Sequence, residues 1–148
     1  MVNLINYLLR FGQLNLQQID LIKSKATLLE QKKGEYFSEA GKIARQVAFI
    51  DDGILRVCYY NNKGEEIARY FIDEYHFAVD LNSFSYQIPS SEYVQAVTNY
   101  KILVFSADAL KDLSVTIINV AAFYILRDDC IKQSAAGFLQ HVAMRHLL

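Results

Sequence analysis

Two neighbouring stretches decide the fold: Phe49-Ile-Asp-Asp-Gly-Ile-Leu-Arg-Val57 and Asn62-Lys-Gly-Glu-Glu-Ile67. In each of them a short polar cluster containing a glycine interrupts apolar residues, and such clusters supply the positive backbone angles of tight turns. The residues at 54–59 and at 67–72 alternate with a period of two and are rich in β-branched and aromatic side chains, which is the pattern of β-strands. Together they predict consecutive antiparallel strands joined by tight turns.

The same pattern extends outward over residues 27–105. Gly34 and Gly41 stand in similar polar clusters, and no helical stretch in this region is long enough to cross over between parallel strands. Regular turn signals of this kind favour an antiparallel barrel or sandwich. We therefore predict an α+β protein built around an antiparallel β-roll.

Helical patterns flank the β region on both sides. Residues 1–26 show apolar side chains at helical spacing, and Asn15 with Gln18 three positions later predicts a capping box for the second helix. Ser106 is predicted to cap the helix that follows the last strand. Residues 106–148 then keep helical spacing, with no glycine or proline from 117 until Gly137.

The later part of this C-terminal segment predicts a helix that dimerises. Residues 117–126 are apolar almost all round, which indicates burial on two sides. Further on, the apolar side narrows to a seam, beside which the small residues Ser134-Ala-Ala-Gly137 would let another helix approach closely. The seam consists of Ile131, Ala135, Phe138 and Val142. Packing within one chain is the alternative.

Length and composition limit the classes of function. The 148 residues predict one domain, 1–148, and a net charge of -1 gives no overall electrostatic case for nucleic-acid binding. Cys58 and Cys130 have no metal-ligand spacing, so we expect buried free thiols in a reducing cytoplasm. No stretch approaches the roughly 20 apolar residues that cross a bilayer, and no leader is evident, so we expect a cytoplasmic protein without membrane contact.

The order and spacing of the glycine clusters resemble those of a known family. Lys33-Gly-Glu-Tyr-Phe37 and Glu39-Ala-Gly41, followed by the two stretches quoted first, are similar to the cyclic-nucleotide-binding domain of Crp/Fnr-type bacterial transcription regulators. The resemblance covers nearly the whole chain. It implies a double-stranded β-helix, jelly-roll-like, with N-terminal helices and a long C-terminal dimerisation helix.

The resemblance also locates a ligand site, whose residues differ here. The family's phosphate cassette reads Phe-Gly-Glu-Leu and then Arg-Ser-Ala or Arg-Thr-Ala, because glycine lets backbone N–H groups approach the phosphate, glutamate accepts from the ribose and arginine forks onto the phosphate. Alignment places Ala78-Val-Asp-Leu81 and Ser90-Ser-Glu92 on these motifs. The candidate ligand residues are Val79, Asp80, Leu81, Ser90 and Ser91.

These replacements argue against ordinary cyclic AMP binding. Ser90 stands where arginine is expected, and losing one charge-assisted contact costs roughly 1.5–3 kcal/mol, or about 10- to 150-fold in affinity. Glu92 would in addition repel a phosphate. We therefore expect a sensory, dimerising domain that has changed or lost its ligand; no cofactor is certain, and a small effector other than a cyclic nucleotide is the expected partner.

Two questions stay open at this stage. A stand-alone structural or interaction module without a ligand is the alternative to a sensory domain. In the regulators that this chain resembles, a helix-turn-helix follows the long helix and reads DNA, whereas this sequence ends at Leu148 without one. The chain is then either a fragment or a stand-alone domain, and contact with DNA would need a domain absent from it.

The sequence gives weaker support to an enzymatic function. A cupin-like metal enzyme ranks third, because His76, His141 and His146 form no His-X-His pair and no i, i+4 pair. Two separated cysteines do not provide the ligands of an iron–sulfur cluster. We expect no metal and no enzymatic activity, and we expect the His76 ring to hydrogen-bond to backbone.

Overall fold

The computed structural model of the protein describes residues 1–10 and 12–116. Two helices come first, α1 (Val2–Leu9) and α2 (Leu16–Lys25). The strands and the remaining helices follow in this order: β1 (Thr27–Gln31), β2 (Tyr36–Ser38), β3 (Gln46–Asp52), β4 (Leu55–Tyr60), β5 (Glu66–Ile72), β6 (Phe77–Ala78), α3 (Leu81–Tyr86), β7 (Tyr93–Ala96), β8 (Tyr100–Ser106) and α4 (Ala107–Thr116).

The strands form two four-stranded sheets in which every neighbouring pair is antiparallel. The first sheet has the order β1-β8-β3-β6 and the second has the order β2-β7-β4-β5. Apolar side chains from both sheets meet in one buried cluster, so the sheets enclose a common interior. The antiparallel β-roll predicted from the sequence is confirmed. The predicted seam residues lie outside the described residues.

The strand β3, in the centre of the first sheet, is buried on both faces. Val47 and Phe49 pack outward into a cluster with Leu4 of α1, whereas Ala48 and Ile50 point into the roll interior. Side chains alternate across a strand, so an unbroken apolar run buries both faces. The N-terminal helices therefore cover one side of the roll.

Side-chain caps begin two of the helices at the predicted residues. The backbone N–H of Gln18 donates to Asn15 Oδ1 at 2.8 Å, and the Asn15 N–H donates to Gln18 Oε1 at 3.0 Å, which completes the capping box of α2. The Ala109 N–H donates to Ser106 Oγ at 3.1 Å. Both predicted caps are confirmed.

The turn between β3 and β4 requires a glycine for two reasons. Gly53 has φ +110°, which L side chains rarely adopt. A Cβ atom at this position would lie 2.6 Å from the Tyr100 Cβ and 2.8 Å from the Asn99 carbonyl oxygen. The turn is thus packed directly against the start of β8.

Candidate ligand-binding site

The predicted ligand residues lie on one connection, which we call the cassette segment (residues 78–92). It leaves β6, forms the short helix α3, and returns as β7. Val79, at the position where the family has glycine, is half-buried and packs against the apolar cluster that joins the N-terminal helices to the first sheet. It does not have a positive φ angle. Val79 therefore contributes to packing, and its side chain takes the space that a glycine would leave.

Asp80 is hydrogen-bonded within the cassette segment. It is the N-cap of α3, and its Oδ1 accepts from the Ser83 N–H at 3.1 Å. Its Oδ2 accepts from the Ser90 hydroxyl at 2.5 Å. Both carboxylate oxygens, which the resemblance assigns to a ribose, thus have intramolecular donors.

Ser90 connects the cassette segment to the loop that joins β2 and β3. Its side chain is buried, and the Glu92 N–H donates to its Oγ at 3.2 Å. Its own N–H donates to the Lys42 carbonyl, and its carbonyl accepts from the Gly41 N–H, both at 2.8 Å. Ser90 therefore holds two loops together, where the family's arginine would extend toward a phosphate.

Ser83 was not singled out from the sequence, yet it is the most buried polar side chain among the described residues, with 1% exposed. Its Oγ accepts from the Ala44 N–H at 2.8 Å and donates to the Ile88 carbonyl at 2.6 Å. A serine on a short helix carries no sequence signal for such a role. The remaining predicted residues contribute less: Ser91 is exposed, and Leu81 is the first residue of α3.

Glu92 has a partner that sequence reasoning missed. Its carboxylate forms an ion pair with the Arg69 guanidinium of β5, and the Glu92 side chain is only 17% exposed. The negative charge expected to repel a phosphate is thus compensated by a neighbouring cation. Arg69, Glu92, Ser90 and Asp80 form one continuous chain of polar contacts.

Arg69 lies at a β-bulge in β5. Val57 of β4 pairs with Tyr70, but the next residue, Cys58, pairs with Ala68, so Arg69 has no residue opposite it. A bulged residue leaves the regular alternation and can re-aim its side chain. The run at 67–72 contains no glycine that would have indicated this irregularity.

Next to this ion pair lies the buried thiol of Cys58, which is free, as expected. Burial raises the pKa of the Cys58 thiol, the nearby carboxylates of Glu66 and Glu92 raise it further, and Arg56 opposes them. A raised pKa keeps the thiol protonated and unreactive near neutral pH. Cys58 is thus an apolar packing residue. Cys130 lies outside the described residues.

A pocket of about 380 Å³ opens beside Asp80. Its walls come from residues 36–46, which include β2 and the loop between β2 and β3, together with Asp80 of the cassette segment. Four charged residues line it: Glu39, Lys42, Arg45 and Asp80. Lys42 Nζ lies 2.5 Å from Glu39 Oε2, so these two charges compensate each other.

The Nδ1 atom of His76 has no hydrogen-bond partner among the described residues, so the expected bond to a backbone group is not found at this atom. His76 Nδ1 lies 2.8 Å from Asp73 Oδ1, in the turn between β5 and β6. Within residues 1–10 and 12–116, no group of three or more histidine, cysteine, aspartate or glutamate side chains could hold a metal ion. His141 and His146 are outside the part of the chain that the structure describes. No helix of that part is long and apolar enough to cross a membrane.

Solved structures with the same architecture identify the fold. A cyclic nucleotide-binding domain from Methylobacillus flagellatus KT superposes with a TM-score of 0.73 at 15% sequence identity, covering 98% of this chain and 81% of that chain. The catabolite activator protein of Thermus thermophilus gives 0.70 at 16% identity, covering 90% and 62%. The sensor domain of the transcriptional regulator DNR from Pseudomonas aeruginosa gives 0.61 at 17% identity, covering 97% and 82%.

The chain therefore has the fold of a cyclic-nucleotide-binding domain, the fold used by sensor domains of Crp/Fnr-type bacterial regulators. Sequence comparison adds no closer assignment, because no protein-family model and no curated protein matches the chain. The chain spans 62% of the length of the Thermus catabolite activator protein. At these identities the likeness concerns the fold, and the ligand has to be argued from the site.

Proposed function

We propose that this chain is a non-enzymatic sensory domain of a Crp/Fnr-type regulator in the cytoplasm, whose cassette segment does not take cyclic AMP and which responds to a different small effector. The observation that carries this proposal is the closure of the site on itself. Asp80 accepts from Ser83 and Ser90, while Glu92 binds Arg69. The polar side chains of Asp80, Ser90 and Glu92 therefore already have partners within the chain.

Energetic arguments support the same conclusion. A cyclic nucleotide would have to displace the 2.5 Å contact between Ser90 and Asp80 without gaining an arginine contact at position 90. A hydrogen bond to a charged group contributes roughly 1.5–3 kcal/mol. Two unfavourable changes of this size reduce affinity by roughly a hundred-fold or more, at about tenfold per 1.4 kcal/mol.

A thermal-shift titration with cyclic AMP and cyclic GMP tests this proposal. A ligand at 100 times its dissociation constant stabilises by about 2.7 kcal/mol, which raises Tm by roughly 5–10 °C for a chain of this length. We expect no shift for the natural sequence. The matched control is the triple variant Val79→Gly, Ser90→Arg, Glu92→Ala, which introduces the family's residue at three of the replaced positions and frees Arg69, and which we expect to shift. A shift of that size in the natural sequence would contradict the proposal.

We further propose that the chain forms a homodimer through Ile131, Ala135, Phe138 and Val142, and that any DNA contact comes from a domain outside this sequence. Charge at an apolar seam destabilises association because it must be desolvated. Phe138→Asp should therefore yield monomers by light scattering, whereas Gln140→Asp, off the seam, should leave the dimer mass unchanged. Equal masses for the two variants would place the dimer contact elsewhere.

A structural or interaction module without a ligand is the second candidate. The closed cassette segment favours it, since its polar groups need no ligand for satisfaction. The pocket beside Asp80 favours the sensory proposal, because a module without a ligand has no need of a cavity there. Saturable binding of a small molecule in that pocket would favour the sensory domain over a module without a ligand.

A further inference from the structure

We propose that the pocket beside Asp80 binds a small organic anion with an apolar body, and that the Arg45 guanidinium holds its charge. This site shares only Asp80 with the cassette positions, since all of its other lining residues come from residues 36–46. The inference rests on the proposed sensory function and specifies the chemical class of the effector. The volume of the pocket, about 380 Å³, lies within the range of small-molecule pockets.

The wall of the pocket is fixed by hydrogen bonds to the cassette segment. The Gly41 N–H donates to the Ser90 carbonyl, the Ser90 N–H donates to the Lys42 carbonyl, and the Ala44 N–H donates to Ser83 Oγ, each at 2.8 Å. Ile43 forms an isolated bridge with Pro89. A wall held in this way is pre-organised, which lowers the entropic cost of binding.

The charges of the lining residues indicate the sign of the ligand. Lys42 is engaged by Glu39, and Asp80 accepts from Ser83 and Ser90. Arg45, in contrast, has no hydrogen bond or ion pair from its guanidinium within the described part of the chain, and it lines the pocket. Arginine presents a planar fork of donors that fits carboxylate and phosphate groups. An anionic group is the ligand feature that this arrangement can bind.

The remaining lining residues indicate the body of the ligand. Tyr36, Phe37 and Ile43 provide apolar surface, and Ser38 and Gln46 add polar groups that can accept or donate. Aromatic and aliphatic walls with few polar groups are typical of small-molecule sites. Asp80 carries a negative charge on the cassette side, so the anionic group should point toward Arg45 and the apolar body toward Tyr36 and Phe37.

Binding at this site would act directly on the cassette segment. Ser83 and Ser90, which bond the pocket wall, also hold Asp80 and the residues after α3. A ligand that binds one arrangement of this wall more tightly than another would shift the conformation of the cassette segment. The pocket thus provides a route from effector to regulator that does not need a cyclic phosphate.

The test is an NMR titration of the full 148-residue chain with phenyl phosphate as the anionic probe and phenol as its neutral counterpart. We expect phenyl phosphate at millimolar concentration to shift the amide signals of residues 36–46 saturably, and phenol to bind at least tenfold more weakly. Arg45→Ala should weaken phenyl phosphate binding about tenfold. Arg10→Ala removes an exposed arginine that directly follows α1 and should leave affinity unchanged.

A second variant should change the affinity for phenyl phosphate in the opposite direction. Asp80→Asn keeps a good N-cap for α3 but removes a like charge beside the pocket, so phenyl phosphate should bind a few-fold more tightly. Equal affinity in the natural chain and Arg45→Ala, weaker binding in Asp80→Asn, or no saturable shift at all would overturn the inference. None of these outcomes depends on the cyclic AMP titration, which tests the proposed function separately. Failure of the pocket assignment and failure of the proposed function are therefore distinguishable.

Discussion

The strand β3 and the cassette segment are both buried in part, but by opposite kinds of contact. Val47, Ala48, Phe49 and Ile50 are at most 2% exposed and belong to the two apolar clusters on either side of the first sheet. In the cassette segment the buried side chains include Ser83 and Ser90, which are held by hydrogen bonds. Apolar burial is non-directional and tolerates many sequences, whereas a buried polar network is stable only when each member is paired. The fold can therefore persist while the polar side chains at the ligand positions form hydrogen bonds within the chain instead of with a ligand.

The largest effect on stability should come from β3. Phe49→Ala removes a fully buried ring that contacts Tyr7 and Phe77, so we expect a loss of about 3–5 kcal/mol in the free energy of unfolding. Phe71→Ala, at a site that is 47% exposed, is the matched control and should cost under about 1 kcal/mol. Urea denaturation measures both. Similar losses for the two variants would contradict the packing described for β3.

The next effect should come from the turn after β3. Gly53→Ala places a methyl group 2.6 Å from Tyr100 Cβ at a positive φ, and we expect a loss of about 2–3 kcal/mol. Gly64→Ala also has a positive φ, but nothing lies within 4 Å of its Cβ position, so about 1 kcal/mol is expected there. The same denaturation experiment should separate them. If Gly64→Ala were as costly as Gly53→Ala, contact with Tyr100 would not be the cause.

Within the cassette segment, Ser83 should matter most. Ser83→Ala leaves the Ala44 N–H and the Ile88 carbonyl without their partner, at a cost of about 2 kcal/mol. Ser91→Ala removes an exposed hydroxyl and should change stability by less than about 0.5 kcal/mol. Hydrogen exchange at the Ala44 amide should also become faster in Ser83→Ala alone. Unchanged protection of that amide would mean that the serine does not hold this loop.

The smallest effect should come from the ion pair at the end of the cassette segment. Arg69 is 49% exposed, so solvent screens its attraction to Glu92, and Glu92→Gln should cost less than about 1 kcal/mol. This loss should shrink further in 1 M salt, because ions screen exposed charges. A loss that is independent of salt would indicate that Glu92 acts through packing.

The elements that could be predicted from sequence are those whose signals are local. Glycine clusters and period-two runs indicated the antiparallel strands, and Asn15 with Gln18 indicated a cap that the structure contains. Each of these depends on residues within a few positions of one another. The resemblance to cyclic-nucleotide-binding domains added the overall topology, which agrees with the solved structures.

The site was only partly predictable because its contacts join distant parts of the chain. The connection of Asp80 to Ser90 crosses ten positions, and that of Arg69 to Glu92 crosses twenty-three. Arg69 also lies at a bulge that no glycine marks. Arg45 lies in an exposed loop, where an arginine is unremarkable until the pocket around it is seen. The identities of the residues showed that the family's ligand-binding groups are absent, but they did not predict the intramolecular contacts that the replacing residues form.

The closure of the cassette segment is tested most directly by a double-mutant cycle on Asp80 and Ser90. The free energy of unfolding would be measured by urea denaturation for Asp80→Ala, Ser90→Ala, the double variant and the natural chain. The loss of the helix cap in Asp80→Ala cancels in the cycle, which leaves the energy of the contact itself. We predict a coupling energy of about 1–3 kcal/mol, as expected for a hydroxyl bonded to a carboxylate. Effects that add to within about 0.3 kcal/mol would contradict a closed cassette segment.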